Sequence, residues 1–274
     1  MIENSFIFLE GLKEKSEQNF WARGICTWDD ILQVQKVPKM SNHRLLYYKR
    51  KVLDAQAHLY RSDSSYFISK LPRKEMWRLY SHFRGETVFL DIETCGPGKK
   101  DAITVIGLFD GISTKTMIKG INLNIKALEE ELKHYKLIVT FNGSSFDLPF
   151  LNRQYPRLLP DIPHFDLLHL CNRLGLKGGL KEIERNFEIK RSPIVDRLYG
   201  GDPLLLWKMF RASGDQHFLN LLVEYNEEDC INLKIIADYA TKKMEKILKE
   251  RYFTKPLNSA SRQAESLVLK KGPV

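Results

Sequence analysis

From residue 87 the chain reads TVFLDIET, an apolar run with acids at alternate positions. Side chains alternate between the faces of a strand, so Val88, Leu90 and Ile92 share one face while Phe89, Asp91 and Glu93 share the other. Two further β-rich runs, AITVIGLFD and STKTMIKG, are punctuated by glycine and predict an antiparallel meander of three strands. Ile125, Leu128, Leu132 and Tyr135 then recur at helical spacing, leading into the apolar run LIVTF at residues 137–141. A strand, helix, strand crossover makes that run parallel to the first strand. HFDLLHL at residues 164–170 predicts a short last strand running into a helix, and a long helix spans residues 215–240. Upstream, residues 1–80 read as mostly helical, with LPRKEMWRLYSHF a helix entered near Pro72 and Asp29 or Asp30 capping the turn of ILQV. A basic helix carries His43, Arg44, Lys49, Arg50 and Lys51 among Leu45, Leu46, Tyr47 and Tyr48. The whole is a mixed α/β pattern with a helical N-terminal part.

Three stretches carry chemistry. Asp91 and Glu93 project from one face of one strand, where adjacent carboxylates repel unless a cation lies between them, and a divalent ion takes oxygen ligands. In residues 137–151, LIVTFNGSSFDLPFL, Asn142 and Gly143 break the strand and Ser144 or Ser145 offers an N-cap. The helix that follows carries Asp147 in its first turn and Pro149 where proline is tolerated. In the long helix, Phe218, Leu222, Tyr225, Asp229, Asn232, Ile236 and Tyr239 follow alternating steps of four and three and form one seam. Asp229 on a dry stripe costs several kcal/mol unless it is paired or metal-bound. Tyr225, one turn earlier, can aim its hydroxyl at whatever that carboxylate holds. Taken singly, each has a plainer alternative: acids at a strand end facing water, a capping Asp147, a salt-bridged Asp229 beside a core tyrosine.

Charge sharpens this picture. The net charge of +9 is uneven, with 15 Lys and Arg against 10 Asp and Glu in residues 1–86, and nine against three in residues 240–274. Basic flanks around a slightly acidic middle suit a chain that draws in a polyanion around acids that hold metal ions. Lys177 and Lys181, in and just after a glycine-rich turn, are candidate phosphate contacts, with a solvated face as the alternative. The irregular run RSPIVDRLYGGDP, from residue 191, is expected to border a substrate groove. The N-terminal GLKEKSEQNFWARG lacks the paired glycines of a phosphate-gripping helical hairpin, so a packing subdomain is an equal reading. Cys26, Cys95, Cys171 and Cys230 are scattered without a CxxC pair, arguing against zinc and a disulfide framework. No apolar run is long enough to span a bilayer and the start lacks a secretory pattern, so a cytoplasmic protein with no membrane association is expected.

In order and spacing, the three stretches resemble the DnaQ-like 3′-5′ exonucleases of the ribonuclease H-like superfamily, in the DEDDy variant with four acids and a tyrosine. The D-x-E is Asp91 and Glu93, the N-x-x-x-F-D runs from Asn142 through Phe146 to Asp147, and the Y-x-x-x-D is Tyr225 to Asp229. The WxxGIxTWDD pattern of residues 21–30 resembles the YprB-like branch. Cys95 stands where a second threonine is frequent after D-x-E-T, at a position that need not hold a ligand. The resemblance implies a ribonuclease H-like mixed five-stranded sheet flanked by helices, with a basic helical extension over residues 1–84, an exonuclease domain over 85–252 and a basic flexible tail over 253–274. It implies two Mg²⁺ or Mn²⁺ ions held by Asp91, Glu93, Asp147 and Asp229, with Asp91 bridging and Tyr225 orienting the attacking water. Asn142, Phe146, Lys177 and Lys181 are expected to contact a nucleic-acid strand or 3′ end, single-stranded DNA being favoured and RNA possible. A structure-specific endonuclease on the same fold and a catalytically silent nucleic-acid-binding module stay open as alternatives.

Overall fold

The computed structural model describes residues 1–96, 102–192 and 202–253. The chain divides into two compact units, one of residues 62–241 and the other of residues 1–61 with the described residues from Lys242 onward. The expected groove-lining loop lies mostly, and the expected flexible tail almost wholly, outside the described residues.

In the smaller unit, α1 (Glu14–Trp21), α2 (Trp28–Gln33) and α3 (Asn42–Tyr60) surround a core that includes Phe6, Phe20, Trp28, Ile31, Tyr48 and Val52. The cap of α2 differs from expectation. Thr27 is the N-cap, accepting from the Asp30 N–H at 3.1 Å, while the Asp30 carboxylate accepts back from the Thr27 N–H at 2.7 Å. A threonine with an acid three residues on satisfies two orphan donors reciprocally, which a capping Asp29 or Asp30 would not.

The larger unit is built on a five-stranded mixed sheet of order β3-β2-β1-β4-β5, the sheet expected from the sequence. The strands are β1 (Thr87–Thr94), β2 (Ile103–Phe109), β3 (Thr114–Ile118), β4 (Leu137–Thr140) and β5 (His164–Asp166). β1, β2 and β3 form the antiparallel meander, and β4 and β5 add in parallel. Between β3 and β4 runs α5 (Ile125–Leu132), whose Leu128 and Leu132 are fully buried. They pack with Val88, Leu90 and Ile92 of β1 and with Phe150 and Leu151 of α6 (Asp147–Gln154) in one apolar cluster. The opposite face of the sheet begins with Val105, which packs with Leu206 of α9 (Pro203–Ser213) and with Leu221 and Leu222 of α10 (Gln216–Leu248). Thus β1 turns its aliphatic residues to one layer and Asp91 and Glu93 to the other.

Before β1 the helix expected over residues 71–83 is mostly a 3-10 segment, Arg73–Leu79, followed by one α-turn, α4 (Tyr80–Phe83). The tighter winding gathers a buried ion cluster: Glu75 accepts from Arg78 Nε at 2.7 Å, Trp77 Nε1 at 3.1 Å and Arg173 Nη1 at 2.8 Å. Tyr80 and Arg84 bond Asp238 of α10 at 2.6 to 2.8 Å, which pins the long helix in place. Residues 62–84 thus fall in the same compact unit as the sheet.

Candidate active site

β1 carries the first two acids. Its pairing with β4 ends at Phe89 opposite Val139, while its pairing with β2 runs on to Thr94. Beyond the end of β4 the Ile92 N–H has no strand partner on that side, and the Asp147 carboxylate accepts from it at 3.1 Å. A helix that starts at Asp147 thereby delivers its first side chain to the edge of β1.

The turn between β4 and α6 makes this possible. Asn142 takes a left-handed φ of 61°, and Asp166 gathers the turn by accepting from the N–H groups of Asn142 at 2.8 Å and Ser144 at 3.1 Å, and from the Ser144 hydroxyl. Asp166 also caps α7 (Leu167–Arg173) through the Leu168 N–H. Ser144 and Ser145 do not cap α6 as expected; the N-cap position falls to Phe146, because Ser144 is committed to Asp166. Phe146 packs on Phe150 with ring centroids 4.8 Å apart, and Asn142 is exposed.

α10 brings the last acid. Asp91 lies opposite Gly107 of β2, and a Cβ at Gly107 would come within 2.0 Å of Asn226 Oδ1 and 2.8 Å of Cys230 Sγ. The missing side chain lets α10 lie against the sheet, where Asn226 Nδ2 donates to Asp91 Oδ2 at 2.8 Å. Oxygens of Asp91, Glu93 and Asp229 then fall within 4.8 Å of one another. Asp147 stands outside that group, but its charge reaches Asp91 and Glu93.

Electrostatics mark the cluster as starved of positive charge. Burial first, then Asp229, Asp147 and Glu93, push Asp91 well above the ordinary carboxylate range, and burial, Asp229 and Asp147 raise Glu93 against the pull of Lys181 and Arg191. Burial lifts Asp147 to about 7 although two backbone hydrogen bonds oppose it, and lifts Asp229 to about 6 against the pull of Arg191. Four hard-oxygen groups that ionise reluctantly on their own are the donor set a hard divalent cation favours. Burial and the same acids raise Tyr225, so its phenol stays protonated at neutral pH.

Two cations border the site. Lys181 of α8 (Leu180–Asn186) and Arg191 lie 5.0 and 5.1 Å from the Tyr225 ring centroid. Arg191 donates to both Glu184 oxygens at 2.7 and 2.8 Å and, through Nη2, to Asp229. Asn232, one turn past Asp229, donates to Glu184 at 2.9 Å. Lys177 is exposed beyond α7. Of the seam predicted on α10, Leu222, Tyr225, Asp229, Asn232 and Ile236 are buried and Tyr239 is exposed, its ring against Phe187. Sequence reasoning missed Gly107, Asn226, Glu184 and Arg191. Asn226 had a signal, since it lies four residues after Leu222 and four before Cys230 on a second buried row; Arg191 had none, because only the fold brings it to Asp229.

The model of the RNase_H_2 family, described as RNase_H superfamily, matches residues 88–241, more than half of the chain and all of the sheet but its first residue, with all four acids. The chain belongs to this family of ribonuclease H-like proteins. No curated protein sequence matched. The family, together with an acidic cluster able to hold a metal ion, points to nuclease activity on nucleic acid. Among the described residues, no helix is long and apolar enough to cross a membrane.

Proposed function

We propose that the chain is a DnaQ-like 3′-5′ exonuclease of the DEDDy kind, in the YprB-like branch, hydrolysing phosphodiester bonds in single-stranded DNA and, less favourably, RNA. The observation that carries this reading is the convergence of Asp91, Glu93 and Asp229 oxygens within 4.8 Å, with Tyr225 one turn before Asp229. Asp91, Glu93, Asp147 and Asp229 would hold Mg²⁺ or Mn²⁺, which when bound supply Lewis-acid polarisation of the phosphate and a more acidic water. Asn226 fixes the Asp91 carboxylate, and the Ile92 N–H fixes that of Asp147. Arg191 holds Asp229. Tyr225 is too weak an acid to be ionised at neutral pH and so cannot serve as the base; its role is to orient the attacking water through its hydroxyl. Lys181, beside the tyrosine ring, is a substrate contact of this reading, with Lys177, Asn142 and Phe146 proposed as further ones.

The test is a time course on 5′-labelled linear and on circular single strands of DNA and RNA, with and without Mn²⁺. Stepwise shortening of linear strands from the 3′ end, with circles intact, is expected. Cutting of circles would identify an endonuclease, and binding without any cleavage would identify a silent module.

A further inference from the structure

The guanidinium of Arg191 is only partly used by the protein. Its side chain is 6% exposed. Nε donates to Glu184 Oε2 at 2.7 Å, and Nη2 donates to Glu184 Oε1 at 2.8 Å and to Asp229. Nη1 is buried and has no hydrogen-bond partner among the described residues. Buried N–H groups of a charged side chain are almost always paired, and an orphan beside a functional cluster calls for a ligand.

The rest of the group is held stiffly. Glu184 is 2% exposed and also accepts from Asn232 at 2.9 Å, so the fork is anchored by two residues from α8 and α10. A planar donor held through Nε and Nη2 leaves Nη1 pre-oriented, a donor that suits an oxygen of a phosphate. The cation touches Asp229 and lies 5.1 Å from the Tyr225 ring, so a phosphodiester seated at the acid cluster comes to its side.

We propose that Arg191 is a phosphate-binding residue of the site, its Nη1 donating to a non-bridging oxygen of the phosphodiester while Glu184 and Asp229 hold its other nitrogens. This rests on the nuclease reading and deepens it. The charge that builds on the phosphate during hydrolysis then faces a fixed donor on the tyrosine side of the site.

Arg191→Lys keeps the charge and loses the fork. Binding of a 5′-fluorescein oligothymidylate is followed by anisotropy in Ca²⁺, Mn²⁺ binding by calorimetry, and hydrolysis in Mn²⁺. The expected result is oligonucleotide binding about tenfold weaker and kcat lower by roughly a hundredfold, of the order lost with one fixed oxyanion donor, with Mn²⁺ affinity within about threefold of wild type. Parallel loss of Mn²⁺ affinity would show that Arg191 serves only to hold Asp229 and would overturn the proposal, as would unchanged oligonucleotide binding or a wild-type protein that binds no oligonucleotide. If wild type binds without cleaving and Arg191→Lys weakens that binding, the phosphate contact stands and the nuclease reading fails. Should Arg191→Lys not fold, Glu184→Gln carries the same test, because it keeps the guanidinium and loosens its anchor.

Discussion

At the scale of single residues, the site is a set of carboxylates that the fold holds against their own repulsion. Asp147 and Asp229 keep their protons up to about 7 and about 6, against 3.8 for a free aspartate. Each unit of such a shift costs the ionised form about 1.4 kcal/mol. Between pH ~4 and ~7 the folded chain binds more of these protons than the unfolded chain, so these groups favour folding most at the low end and lose that contribution as pH rises. Thermal melts in EDTA should therefore show a midpoint that falls across this window, and Asp147→Asn should flatten its upper part. Saturating Mn²⁺ should reverse the trend, because the ionised carboxylates are the ligands. Asp91→Asn should raise the metal-free midpoint by removing repulsion while lowering kcat on the order of 10³-fold, equivalent to about 4 kcal/mol. Tyr225→Phe should lower kcat less, about 10- to 100-fold, with KM little changed. An Asp91→Asn protein with wild-type kcat would remove that residue from the mechanism.

At the scale of elements, Gly107 decides how close α10 comes to the sheet. Gly107→Ala would set a methyl within 2.0 Å of the Asn226 amide, which is buried and bonded to Asp91. A cost of about 1–3 kcal/mol is expected from overpacking, together with a fall in activity larger than the loss of stability explains. Urea denaturation beside steady-state kinetics would show both. Glu75→Gln should cost about 3–5 kcal/mol, since it removes the carboxylate that pairs with Arg78 in the core. Element order was readable because periodicity changes cleanly from two to 3.6 along residues 87–140, and because a crossover helix of this length forces β4 parallel to β1. The winding of Arg73–Leu79 was not readable, since its burial pattern answers to Glu75, whose partner Arg173 is remote in sequence. Ser144 failed as a cap for a similar reason: its hydroxyl donates to Asp166, which arrives with a later strand. The acids were legible because each breaks the pattern of its own element. Arg191, Glu184 and Gly107 break none, and their roles exist only once α8, α10 and β2 meet.

At the scale of the whole chain, the charge pattern suits the polyanionic substrate proposed for the site. Residues 1–86 and 240–274 carry the excess of lysine and arginine, and the acids lie in the slightly acidic middle. Nucleic-acid binding should therefore weaken steeply with salt, whereas hydrolysis of bound substrate should change little; anisotropy titrations between 50 and 200 mM salt, values of roughly the range over which phosphate contacts are lost, would separate the two. The central claim is that side chains far apart in sequence converge on a cage for divalent cations. Calorimetric titration of Mn²⁺ into the EDTA-stripped protein tests it most directly. The account predicts saturable binding to the wild type and at least about tenfold weaker binding to Asp91→Asn and to Asp229→Asn, the size of loss expected when a metal site is disturbed. Identical binding curves for the three proteins would contradict it.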